Sequence, residues 1–178
     1  MVKWQFFLVM VILVAVVLVA GCMNEENPGP LLPSTDVIHP GQVLMVIGDV
    51  TGTGIPGGTI DTITFTVGLV PGERFVNMEN ISIIYADAVR TETLEPVEGF
   101  RGDPPKGHWG ILEVQNIIGN PDNRLEYEER FVISINPKAP LVPGQFITII
   151  VKLPYGTPLT IRRVSPSTIL KNNTLSPI

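Results

Sequence analysis

From Phe6 to Met23 the chain runs 18 residues without a charged or amide side chain, and beyond Val37 that continuity gives way to alternation. The first pattern predicts a hydrophobic helix, long enough to span about 30 Å of hydrocarbon with its backbone bonds satisfied internally. Only Lys3 precedes the run, while Glu25 and Glu26 follow it. That bias sets the N-terminus inside and the remainder outside the cell. Pro28, Pro30 and Pro33 then forbid a helix and predict an extended spacer. The expected organisation is a hydrophobic anchor or signal segment over 1–22, a Pro-rich spacer over 23–36 and one domain over 37–178.

Within that domain no window shows apolar residues at helical spacing with caps. Gln42–Val50 is apolar on both faces and predicts a buried strand, followed by a turn-rich loop over Thr51–Gly58. Thr62–Leu69 alternates, with Ile63, Phe65, Val67 and Leu69 facing a core and Thr62, Thr64 and Thr66 facing outward. Further strands are predicted at Ile81–Ala86, His108–Gln115, Arg130–Ile135, Gln145–Leu153 and Leu159–Val164, with a long irregular loop over 95–107 and a turn at Asn120–Asn123. About eight short strands joined by turn chemistry predict an all-β antiparallel sandwich with one wet face per sheet. Trp109, Phe65, Phe131, Phe146 and Tyr85 are expected between its sheets.

Composition narrows the class. Without anchor and spacer about 140 residues remain, enough for one domain with a real core. The net charge of −5, with no basic cluster, argues against nucleic acid as a partner. Cys22 is the only cysteine, so no internal disulfide staples the domain. The cysteine closes the sequence Val19-Ala20-Gly21-Cys22, which is similar to a lipobox. In that reading 1–21 is a signal peptide and the mature chain begins at a lipidated Cys22. The other reading makes Cys22 a small apolar residue at the end of an uncleaved anchor. Both tie the chain to the cytoplasmic membrane.

Candidate chemistry is sparse. His39 precedes Pro40 in the linker and His108 sits beside Trp109 at a strand start, positions that suit surface residues better than a catalytic pair. Gly52-Thr53-Gly54 is not followed by a helical pattern and reads as a hairpin loop rather than a phosphate loop. Asp122, Asn123, Glu126, Glu128 and Glu129 offer oxygens for Ca²⁺, but without the order such loops need, and a solvated acidic turn is the expectation. No enzyme activity, metal, cofactor or small-molecule substrate is expected. Asn80-Ile81-Ser82 and Asn172-Asn173-Thr174 are glycosylation sequons, which makes Asn80 and Asn172 candidate glycan sites outside the cell. Asn80, at a turn before a strand, is the better placed. Of Arg162 and Arg163, at least one should point outward.

Several segments resemble the outer domain of archaellins, the subunits of the archaeal swimming filament. Val43–Val50, a Gly-rich loop and Ile60–Leu69 are similar to that family's opening strand pair. Pro71-Gly72 and Val76–Asn80 before Ile83-Ile84-Tyr85-Ala86-Asp87 match its Pro-Gly, short polar turn and strand ending in Tyr-x-Asp. Glu126–Ile135 resembles its acidic lead into a Phe-x-Ile-x-Ile strand, and Lys152–Pro166 is the most specific match. The resemblance implies an immunoglobulin-like sandwich in the outer layer of a filament, or at its periphery. The N-terminus departs from the family, whose precursors carry a short basic leader ending in Gly and then a long polymerising helix. Here Lys3 is followed by Trp4-Gln5-Phe6, with no Gly before the apolar run, and the run ends in the proline spacer. The expectation is a structural, membrane-anchored surface or accessory form, with filament subunits or surface-layer protein as partners. The alternative is a surface lipoprotein whose sandwich binds the cell envelope and has no part in motility.

Overall fold

The computed structural model describes residues 38–99, 102–119 and 122–178. The expected anchor over 1–22, with Cys22, and the spacer over 23–36 lie outside the described residues, as do the first two residues of the turn at 120–123. Eleven strands are found among the described residues: β1 (Leu44–Gly54), β2 (Ile60–Leu69), β3 (Phe75–Asn77), β4 (Ser82–Asp87), β5 (Thr91–Pro96), β6 (His108–Gln115), β7 (Arg124–Glu126), β8 (Arg130–Asn136), β9 (Phe146–Lys152), β10 (Leu159–Val164) and β11 (Asn172–Pro177). The all-β expectation holds. A single 3₁₀ turn, Met78–Asn80, separates β3 from β4, and the Asn77 side chain caps it by accepting from the Glu79 N–H.

Where an antiparallel sandwich of about eight strands was expected, the sheet closes into a ring of nine. Nine strands hydrogen-bond in the order β1-β11-β10-β9-β4-β5-β6-β8-β2, and β3 and β7 form a separate two-stranded ribbon. Two strands close the ring by changing partners along their length, the device by which sandwich corners are made. Asn172–Leu175 of β11 pairs with β1, and Ser176 and Pro177 pair with β10. Thr91–Leu94 of β5 pairs antiparallel with β4, after which Glu95 and Pro96 run parallel to β6. That parallel seam departs from the purely antiparallel expectation.

Alternation builds the interior. Ile83 and Tyr85 from β4, Ile147, Ile149 and Val151 from β9, and Leu159 and Ile161 from β10 meet Ile63, Phe65 and Val67 from β2 and Phe131, Ile133 and Ile135 from β8 in one buried cluster. Thr62, expected outside, is buried. Phe146, expected in the core, is 60 % exposed. It opens β9 opposite Val164 and shares its face with Thr148, while the inward positions are Ile147 and Ile149.

β1 also runs further than its Gly-rich sequence suggests. Thr51–Gly54 is strand, paired with β2 on one side and β11 on the other. Its glycines answer to crowding: a Cβ on Gly54 would lie 2.5 Å from the Thr59 carbonyl oxygen, and one on Gly52 would lie 2.7 Å from the Ile60 Cγ2. Between Ile47 and Thr51 the β1–β2 register shifts, and Gly48 takes φ +73° there, a conformation that favours glycine.

Candidate functional site

The two sequons lie at opposite ends of the ring. Asn80 is exposed at the close of the 3₁₀ turn, just before β4. Asn172 is exposed at the start of β11, opposite Thr53. Its neighbour Asn173 points inward, donating from Nδ2 to Gly52 O (3.1 Å) and Leu170 O (2.8 Å) and accepting at Oδ1 from Leu170 N–H (2.8 Å). The period-2 alternation of the strand therefore presents Asn172, and not Asn173, to solvent.

The acidic turn is only partly solvated. Glu129 is buried, and its two oxygens accept the N–H groups of Ile118 (2.7 Å) and Glu126 (3.0 Å). It ties the segment after β6 to the segment after β7. Asp122 accepts from Arg124 N–H, and Glu79 accepts from the Asn123 amide. These oxygens answer donors of the fold itself. Among the described residues no group of three His, Cys, Asp or Glu is arranged to hold a metal. Sequence reasoning missed the role of Glu129 because its partner Ile118 lies 11 residues away across a turn.

The Tyr-x-Asp ending of β4 gains a physical meaning. The Asp87 carboxylate accepts from the N–H groups of Val89 (2.9 Å) and Arg90 (3.0 Å) and pairs with Arg90 Nε at 2.7 Å, closing the turn into β5. Burial by itself would raise this carboxyl, but the bonds from Val89 and Arg90 outweigh it and hold it below the usual carboxylate value. The fully buried Tyr85 sends its hydroxyl towards Asp87 Oδ2 at 3.4 Å. Burial, followed by the Asp87 charge, pushes the phenol above its ordinary value. A buried neutral phenol stabilises the fold fully below the unfolded-state value of about 10, and that contribution is lost as pH rises further. Tyr85→Phe is therefore expected to change stability by less than about 1 kcal/mol at neutral pH, since one long hydrogen bond is removed. Above pH 10 the variant should lose less stability than the wild type, as urea midpoints at pH 7 and pH 11 would show.

The remaining candidates are structural. His39 is exposed, and its backbone N–H donates to Gln42 Oε1. His108 Nδ1 lies 3.0 Å from Lys106 O and Nε2 lies 3.5 Å from Glu95. Among the described residues the two histidines share no bonded partner. Gly52-Thr53-Gly54, paired on both sides, is not a phosphate loop. Arg162 is the outward arginine of β10, while Arg163 is buried and donates to Arg162 O at 2.8 Å. Near the β3–β7 ribbon, Arg124 sits 4.1 Å over the Phe75 ring, and Tyr155 donates to Phe75 O at 3.1 Å.

Together these features define an all-β module in which many of the polar side chains singled out above bond to its own backbone. The family model of archaeal-type flagellin matches residues 41–163, well over half of the chain. The chain belongs to the archaeal-type flagellin family and is a structural, archaellin-like protein. The fold agrees with the crystal structure of archaeal flagellin FlaB1 from Methanocaldococcus jannaschii, at TM-score 0.57 and 15% identity over 74% of this chain and 95% of that one. It also resembles the archaeal flagellum of Methanospirillum hungatei strain JF1, at TM-score 0.54 and 14% identity over 76% of this chain and 72% of that one. No curated protein sequence matches. Family membership favours the archaellum reading over the surface lipoprotein that binds the envelope without a part in motility.

Proposed function

We propose that this chain is a membrane-anchored member of its family, displayed outside the cell at the base or periphery of an archaellum. Its work is contact between protein surfaces, without chemistry. The observation that supports this most is the N-terminal pattern: 18 uncharged residues between Lys3 and the Glu25-Glu26 pair, leading into Pro28, Pro30 and Pro33. An uncut segment that keeps Lys3 retains its membrane orientation. Prolines so close behind the apolar run would also leave little polar length to hold the domain away from a filament core. The membrane would hold the N-terminal segment, and filament subunits or surface-layer protein would meet the ring. Its arrangement of strands, two sheets joined by corner strands, is compatible with the immunoglobulin-like sandwich that the family resemblance implied. Glycans on Asn80 and Asn172 would sit at opposite ends of the barrel, leaving its flanks open.

Immunogold labelling with antibody against residues 36–178 tests the placement. Label on the cell surface, and none along sheared filaments, is expected. Even labelling along the filaments would make the chain a polymerised subunit.

A further inference from the structure

The ring is thin at two seams, β10–β11 and β5–β6. The parallel pairing of β5 with β6 covers only Glu95↔His108 and Pro96↔Trp109, and Val97 N–H donates to Trp109 O at 2.9 Å just past it. From there β6 runs on to Gln115 with no strand beside it on that side among the described residues. A register shift between Ile111 and Glu113 inserts Leu112 as an extra residue, a bulge of the kind that re-aims side chains at strand edges.

A groove of about 540 Å³ opens at this gap, with Met78, Trp109, Ile111 and Val114 among its walls. Its exposed acidic residues are Glu79, Glu98, Glu113 and Asp122, and among the described residues no basic side chain lines it. Trp109 is only 4 % exposed, and its indole N–H is buried without an acceptor. Buried donors of this kind are normally answered, so an orphan beside a groove points to a ligand that supplies the acceptor. The strand edge, the donor and the charge converge on one chemistry.

We propose that this groove binds an extended peptide segment bearing lysine or arginine side chains, laid alongside β6. Strand addition at a sheet edge supplies main-chain hydrogen bonds, and pockets for alternate side chains supply selectivity. A carbonyl of the segment takes the Trp109 N–H. Because successive side chains of a strand point to opposite faces, basic residues at every second position meet the acidic rim together. The site does not depend on where the chain is anchored.

The full-length chain in detergent micelles, carrying Trp4→Phe so that Trp109 is the single tryptophan, would be titrated with the peptide Thr-Lys-Val-Lys-Val-Lys-Thr. A saturable change in Trp109 emission is expected, weakened by 0.5 M salt. Glu98→Lys with Glu113→Lys should weaken binding at least tenfold. Trp109→Phe, read by anisotropy of the labelled peptide, should weaken it about tenfold, the equivalent of one lost hydrogen bond. Both glutamates are exposed, so circular dichroism should show the charge-reversed variant folded; Glu98→Gln, milder still, should weaken binding in the same direction. The proposal is overturned if no saturation occurs, if the peptide with Glu in place of Lys binds equally well, or if the folded glutamate variants bind like wild type.

Discussion

Phe131→Ala is expected to lower the unfolding free energy of the domain by about 3–5 kcal/mol, whereas Phe146→Ala should leave it within about 0.5 kcal/mol of wild type. Both phenylalanines stand on strands within runs of β-branched residues. Phe131 is fully buried, paired across to Val67 on one side and Val114 on the other, so its removal opens a cavity at the centre of the ring. Phe146 lies at the first position of β9 with most of its ring in water. Urea unfolding of a fragment spanning residues 36–178, followed by circular dichroism, measures the contrast. The same spectra should show β structure with little helix in the unmutated fragment. Equal losses in the two variants would mean that Phe146 is covered and that the face of β9 is misassigned.

That contrast shows what could be read from residue pattern. Strands with several consecutive inward apolar positions were legible, and His108–Gln115 was placed residue for residue. β5 and β11 were not legible, because each has few buried side chains: Leu94 in one, Asn173 and Leu175 in the other. Their place is set by backbone pairing to strands far along the chain, which local alternation does not report. The end of β1 was hidden by its glycines, which resemble turn residues but serve close approach. The closure of the ring was hidden by those three omissions, since β5 and β11 are the strands that join its two sides. The sequons were visible as motifs. The groove was not, because its walls come from four separate stretches of the chain, and an orphaned indole N–H has no signature in sequence.

Cys22→Ser is expected to move the protein from the membrane fraction to the soluble one, or to leave an uncut precursor of lower mobility on a gel. The reasoning is chemical: acyl chains on Cys22 would hold the mature chain, and serine offers no thiol to carry them. Sedimentation of cell lysates followed by mass spectrometry of the mature N-terminus reads both outcomes. If Cys22→Ser changes neither membrane retention nor mobility, the segment before residue 24 is a plain helical anchor. The Cys22 side chain then has no modification to carry.

The pairing of β1 with β11 brings the beginning and end of the domain together, with Asn173 Nδ2 donating to Gly52 O across 121 residues. An order of folding events follows. As the chain becomes available from its N-terminal side, β2, β8 and their neighbours can begin to pair, but β1 keeps one bare edge until β11 is also present. Contacts between such distant segments are slow to form, and an unpaired edge is exposed to wrong partners meanwhile. Closure is thereby tied to completion: the barrel seals only once nearly the whole domain is available to fold.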